Sequence, residues 1–252
     1  MAKIIVYSES LEIHRIVSAL PEQEIVPAAS TAELARAIIE QSHVIALIIE
    51  KERIDDRFQR LLASIKKSFP ILQVCLITDS GADLAPAGYR IIAKDITPEG
   101  SDRFTEELKT FVSSIGLTER RDHLRFDWPL QGMISFDDKT WQSYNLWALS
   151  ADGAFLESSG SGPPVGSRGI LRISFQNFRL VTRCEVLDPR QASSKLPAGF
   201  AVRLTMLSDD SMNLINRIIQ DALLQTLLQP ESEPAIPTLG EEDLSISGFE
   251  PL

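Results

Sequence analysis

The sequence predicts two domains in tandem: an α/β domain over residues 1–117, built as a doubly wound parallel sheet of five strands, and an all-β domain over residues 118–228, built as a small antiparallel barrel with a C-terminal helix. Three observations carry this reading. The chain has 252 residues, room for two domains of roughly 100 to 200 residues each. Short β-branched runs alternate with helically spaced apolar residues up to Gly116, and beyond it the pattern changes to strict alternation of apolar and polar side chains.

In the first domain Lys3 to Tyr7 reads as a strand, and Leu11, Ile16, Val17 and Leu20 then fall at helical spacing until Pro21 ends the element. Ile25-Val26 is a second short strand. Ser30-Thr-Ala-Glu33 is a capping box that opens a helix through Ile39. Val44 to Ile49 is wholly apolar, as a central parallel strand covered on both faces must be. Phe58, Leu61, Leu62 and Ile65 mark the next helix. Val74 to Ile77 and Tyr89 to Ala93 supply two more strands, and Thr97-Pro98 starts a last helix that runs to about Ile115 and stops at Gly116.

In the second domain Leu180, Cys184 and Val186 alternate with Arg179, Val181, Arg183 and Glu185, and Val202, Leu204 and Met206 alternate with Arg203 and Thr205. Similar runs at 130–136, 143–156 and 169–175 are separated by Asp, Gly, Ser and Pro clusters. Five or six such strands in so short a length favour closure into a barrel, which leaves no long edge exposed. Met212, Leu214, Ile215, Ile218, Ile219, Ala222 and Leu223 then define the apolar face of a helix that plugs one barrel end or pairs with another chain. Residues 229–252, with four Pro, six acidic and no basic residues, read as an acidic tail that docks on a partner or stays mobile.

Composition narrows the function. The net charge is −10, distributed as −4 over residues 1–117, 0 over 118–228 and −6 over the tail, which argues against DNA or RNA as a partner. No apolar run approaches the roughly 20 residues of a bilayer-spanning helix, and the N-terminus has no signal-peptide pattern, so a cytoplasmic protein without membrane insertion is expected. Cys75 and Cys184 sit in strand-like contexts as core thiols. His14, His43 and His123 are scattered, and no catalytic triad or metal spacing can be assembled. The expectation is a protein with no cofactor, no metal and no enzymatic activity. Gly160-Ser-Gly162-Pro-Pro-Val-Gly166 lacks the Lys-Ser/Thr ending and the following helix of a phosphate loop, and reads as a hairpin connection. One bias stands out: residues 118–228 carry ten Arg against two Lys, and Arg presents a planar fork suited to guanine edges and phosphates.

The layout of the first 115 or so residues resembles the receiver domain of bacterial response regulators. In that family an acidic pair follows the first strand, a phosphoacceptor Asp the third, Thr or Ser the fourth and Lys the fifth. Here Ser8 and Glu9 stand at the acidic pair, Glu50 at the phosphoacceptor, and Thr78 and Lys94 at the last two positions. The resemblance thus implies a degenerate phosphorylation site (Glu9, Glu50, Thr78, Lys94). A metal ion that needs several carboxylates is poorly held there, and Glu50 is expected in a structural salt bridge with Lys94, the other option being that Glu50 mimics a phosphorylated state.

Arg120-Arg121-Asp-His-Leu-Arg125 places two Arg four residues apart just after the linker, and Ala148-Leu-Ser150-Ala-Asp-Gly153 follows on a predicted strand pair. With Pro164-Val165-Gly166 and Gly199-Phe-Ala-Val202-Arg-Leu204, these motifs resemble the PilZ domain, whose signatures are RxxxR and [DN]xSxxG, over some 110 residues. The resemblance implies cyclic di-GMP as ligand, with Arg120, Arg121 and Arg125 at guanine faces and phosphates and with Ser150 and Gly153 lining the barrel beneath. Ala148 departs from the family's Asp or Asn, and one lost hydrogen bond costs roughly 1–3 kcal/mol, or about five- to a hundred-fold in affinity. The expected function is a cyclic di-GMP-binding signalling effector that couples the nucleotide, bound next to the linker Gly116 to Glu119, to an unidentified protein partner. The alternatives are a PilZ-like scaffold that has lost the nucleotide and works only through protein contacts, and a phosphorylation-controlled regulator, which the incomplete acidic pair disfavours.

Overall fold

The computed structural model describes residues 2–18, 23–41, 43–70, 72–79, 89–94, 98–115, 126–128, 130–160, 162–192, 197–230, 232 and 235–252. Leu20, Pro21, Thr97, Gly116, the linker, His123 and the three motif arginines Arg120, Arg121 and Arg125 lie outside these residues. The chain forms two compact units, residues 1–121 together with 224–232, and residues 122–223 together with 233–252.

The first unit runs β1 (Ala2–Tyr7), α1 (Leu11–Ser18), β2 (Gln23–Ala28), α2 (Thr31–Glu40), β3 (Val44–Glu50), α3 (Asp56–Ser68), β4 (Gln73–Thr78), β5 (Arg90–Ala93) and α4 (Pro98–Ser114). Its five strands are all parallel, in the order β2-β1-β3-β4-β5. Strand β3 is central and buried from Val44 to Ile49, which explains why its sequence shows no alternation. On one face Ile4, Val6, Ala46, Ile48, Cys75 and Ile77 pack with Ile13 and Val17 of α1 and Leu108 and Phe111 of α4. On the other, Tyr7 meets Phe58 of α3 with ring centroids 5.9 Å apart. The N-cap forms, with Ser30 Oγ accepting from the Glu33 backbone N–H at 3.2 Å, while Glu33 Oε2 reaches one residue past the cap and accepts from the Ala29 N–H at 2.8 Å. A second cap that the spacing rules did not single out is Asp55, whose Oδ1 accepts from the Phe58 N–H at 2.7 Å to open α3. In sheets of this strand order, ligands bind beyond the carboxyl ends of the strands, where β1 and β3 diverge.

The second unit contains β6 (Leu130–Ser135), β7 (Gln142–Leu149), β8 (Gly153–Glu157), β9 (Arg168–Ser174), β10 (Phe178–Arg190), β11 (Gly199–Thr205), α5 (Asp209–Leu228) up to Leu223, and β12 (Phe249–Pro251). Six strands close into an antiparallel barrel, β11-β8-β7-β6-β9-β10 and back to β11, and β12 adds to β10. Leu146, Leu156, Leu171, Ile173, Leu180, Cys184, Phe200 and Val202 fill the interior. The run at 143–156 is two strands with a tight turn at Ser150–Asp152, as the strand pair read there implies. One expectation is corrected. Met206 does not continue the alternation of β11: its backbone turns left-handed at φ 63° and its side chain is 78% exposed.

The acidic C-terminal segment is part of this unit. Asn177, at the β9–β10 turn, donates from Nδ2 to the Leu239 carbonyl at 2.8 Å and accepts at Oδ1 from the Leu239 N–H at 3.1 Å. Ser211 Oγ donates to the Ser247 carbonyl at 2.5 Å, and the Val181 N–H donates to the Gly248 carbonyl at 2.7 Å. Two of the segment's anionic residues pair with arginines of the same unit: Asp243 with Arg217 at 2.5 Å and Glu250 with Arg179 at 3.5 Å. Among the described residues no helix is long and apolar enough to cross a membrane.

Candidate functional site

Two constellations were expected, one on each unit. At the carboxyl end of the parallel sheet, a cleft of about 710 Å³ is lined by Ser8, Glu9, Glu50, Lys51, Asp79 and Lys94 among others. Here the strand ends bring Glu50, Ser8 and Lys94 together. Ser8 Oγ donates to Glu50 Oε2 and Lys94 Nζ donates to Glu50 Oε1, so each carboxylate oxygen is engaged. Ser8 Oγ also accepts from the Ser10 N–H at 2.9 Å. Burial acts to raise the Glu50 pKa and is the largest single influence. The Lys94 hydrogen bond, the Ser8 hydroxyl, the Lys94 charge and the Ser10 backbone together outweigh it and hold the carboxyl below its ordinary value. Thr78 is buried and contributes its carbonyl, which accepts from the Lys94 N–H at 2.9 Å. Glu9 lines the same cleft as an exposed carboxylate. Asp79 and Lys51, also at the cleft, were not singled out by the sequence; both directly follow strand ends, which is the signal that points to them.

On the barrel, the Ala148–Gly153 motif is a hairpin turn between β7 and β8. The Ser150 N–H donates to the Gly153 carbonyl at 2.8 Å, and the Ser150 hydroxyl, 1% exposed, donates to Asp152 Oδ1 at 2.6 Å and reaches the Gly153 carbonyl at 3.0 Å. The Asp152 carbonyl accepts from the Leu204 N–H at 2.8 Å, pinning the turn to β11. Gly153 is required by close approach: a Cβ there would stand 2.7 Å from the Val202 carbonyl oxygen. Ser150 and Gly153 thus shape the hairpin, a role that the motif's spacing alone does not reveal. Ala148, 8% exposed, lies opposite Phe155, next to a bulge at Trp147.

One contact joins the residue that follows the first motif to the second motif. Phe126, the residue after Arg125, pairs antiparallel with Leu149, each donating its N–H to the other's carbonyl at 3.0 Å. Trp128 follows, buried against Phe126 at 4.6 Å and Phe175 at 6.1 Å.

Neither thiol is set up as a nucleophile: burial pushes Cys75 up to about 12 and Cys184 up to about 11. His14 Nε2 lies 3.0 Å from the Ser8 carbonyl. Among the described residues no group of His, Cys, Asp and Glu is arranged to hold a metal ion.

No protein-family model and no curated protein matches this sequence. Solved structures do match in part. The Bacillus subtilis inhibitor of motility MotI shares 14% identity over 40% of this chain and 49% of its own, with a TM-score of 0.35. The PilZ domain with c-di-GMP of Escherichia coli YcgR shares 17% over 40% of this chain and 89% of its own, with a TM-score of 0.33. A two-component transcriptional regulator from Clostridium phytofermentans shares 19% over 45% of this chain and 93% of its own, with a TM-score of 0.34. This chain spans about half the length of the motility inhibitor. The solved structures that it resembles therefore include PilZ-domain proteins, at low identity and over part of its length.

Proposed function

We propose that the chain is a non-catalytic signalling effector that binds cyclic di-GMP on the outer surface of the barrel and conveys occupancy to a protein partner. The observation that carries this reading is the Phe126–Leu149 pairing, because it ties the residue next to Arg125 to the strand between Ala148 and Ser150. The chain directly after the first motif is thereby held beside the second, although the two lie more than twenty residues apart in sequence, which a chance occurrence of either does not require. Arg121 and Arg125, with Arg120 beside them, supply charge-assisted, bidentate contacts to guanine and phosphate, the chemistry that a dianionic ring with two guanines needs. Calorimetric titration of the full chain with cyclic di-GMP tests this. Arg121→Ala and Arg125→Ala are expected to abolish measurable binding while the melting temperature of the free protein stays put, and Arg-to-Lys at either position also fails, because Lys has no planar fork. Unaltered binding in the double Ala variant rules this site out.

A second reading, a barrel that has lost the nucleotide and works only as a protein-binding scaffold, draws on a specific observation. Ala148 has no polar side-chain atom, and the Ser150 hydroxyl is spent inside its own turn. Ala148→Asp and Ala148→Asn separate the two: a site otherwise intact binds roughly five- to a hundred-fold more tightly, and silence in wild type and both variants leaves the scaffold.

For the first unit we propose a degenerate receiver without phosphotransfer, supported by the engagement of both Glu50 oxygens.

A further inference from the structure

A row of residues crosses the outer face of the barrel from the hairpin: Gly153 on β8, Arg203 on β11, Glu185 on β10 and Arg168 on β9, each directly opposite the next. Directly opposed residues of an antiparallel pair share a face, so Arg203 rises beside Gly153, where no side chain stands. Glu185 spends its carboxylate on Arg168 at 3.4 Å. Arg203 is exposed, and its side chain makes no ion pair or hydrogen bond with any described residue. A strand arginine in that condition is ordinarily just solvated. Two features distinguish this one: it is the first side chain beside the bare floor that Gly153 keeps, and the motif position with the family's polar side chain is here Ala148.

The chemistry of guanine connects these features. A carboxylate or amide oxygen accepts, so it addresses guanine through its N1–H and 2-amino donors; a guanidinium only donates, so it addresses O6 and N7. We infer that Arg203 reads the guanine of the bound nucleotide through its O6/N7 edge, and that the site is indifferent to the 2-amino group. This rests on the proposed nucleotide binding and adds to it a residue and a base preference. Cyclic di-IMP keeps O6 and N7 and lacks the 2-amino group, so it binds as cyclic di-GMP does. Cyclic di-AMP presents an amino donor where O6 would be and is rejected.

The test titrates the full chain with cyclic di-GMP, cyclic di-IMP and cyclic di-AMP, using wild type, Arg203→Ala, and Arg190→Ala as a control on an exposed arginine paired with Asp188. Expected are affinities for the first two nucleotides within about three-fold of each other, a loss of about five- to a hundred-fold for both in Arg203→Ala, and no change in Arg190→Ala. Cyclic di-GMP binding that Arg203→Ala leaves intact, or cyclic di-IMP binding weaker by more than about ten-fold, overturns the role of Arg203 while the nucleotide reading stands. No binding of any nucleotide by wild type overturns both.

Discussion

At the carboxyl end of the parallel sheet, Glu50 gives one oxygen to Ser8 and the other to Lys94, and the polar groups of that centre satisfy one another. On the barrel the inward hydroxyl of Ser150 is spent on its own turn, while the outward row beside Gly153 keeps Arg203 unengaged. Both centres were located by family-like motifs, yet they differ in where their hydrogen-bonding capacity points. A centre that closes on itself affects folding when it is altered. A centre that holds its shape through backbone and leaves a charge outward keeps hydrogen-bonding capacity to spare.

The contrast can be broken most forcefully at the glycines of the barrel. A Cβ on Gly199 would lie 2.1 Å from the Leu156 carbonyl oxygen, and one on Gly153 2.7 Å from that of Val202. Backbone cannot yield as a flexible side-chain tip does, so Gly199→Ala is expected to cost about 3 kcal/mol or more and Gly153→Ala about 1–3 kcal/mol. Urea unfolding followed by circular dichroism measures both; an unshifted midpoint in Gly199→Ala would show that β8 and β11 are not packed as described.

Next in size is the ion pair. The Glu50 side chain is only 13% exposed, so Lys94→Ala strands a half-buried carboxylate and costs about 1–3 kcal/mol. The double variant Glu50→Gln with Lys94→Met should recover much of that loss, because it removes the charge together with its partner. A double variant no more stable than Lys94→Ala means that the pair is not what holds this end of the sheet.

Acid gives a gentler version of the same experiment. The folded pKa of Glu50 lies below its unfolded value, so the unfolded chain binds the proton more readily. The pair's stabilisation is therefore complete above the unfolded value of about 4.3 and is lost as pH falls through the lower folded value. Glu50→Gln should flatten that part of the stability–pH curve, and an identical slope in the variant would assign the acid sensitivity to other carboxylates. The smallest expected effect is none at all: incubation with acetyl phosphate and magnesium leaves the intact mass unchanged, and a phosphoryl adduct on Glu50 would contradict the closed character of this centre.

Local elements were legible because local physics sets them. Val44 to Ile49 announces burial on two faces, and Ser30 with Glu33 announces a cap, within a few residues each. What escaped depends on pairings between distant residues. Gly153 faces Arg203 only because β8 and β11, fifty residues apart, close the barrel in that register. Phe126 pairs through a single bridge to Leu149, and β12 is three residues long, both too short for any periodicity to show. Met206 fits the alternation by residue type, and its left-handed backbone is invisible to composition.

The Trp128 indole offers an optical consequence. It is 2% exposed, its ring N–H has no hydrogen-bond partner among the described residues, and it sits two residues beyond the Phe126–Leu149 bridge. The other two tryptophans lie in different surroundings: Trp141 has the Arg172 guanidinium 3.8 Å over its ring, and Trp147 is 39% exposed. Excited indole relaxes little in dry, apolar surroundings, so the Trp128 fluorescence should form a blue-shifted component shielded from iodide, while Trp147 is quenched. With Trp141 and Trp147 changed to Phe, the remaining emission becomes a spectroscopic gauge of the segment that pairs with Leu149 at the base of the hairpin, readable without a label.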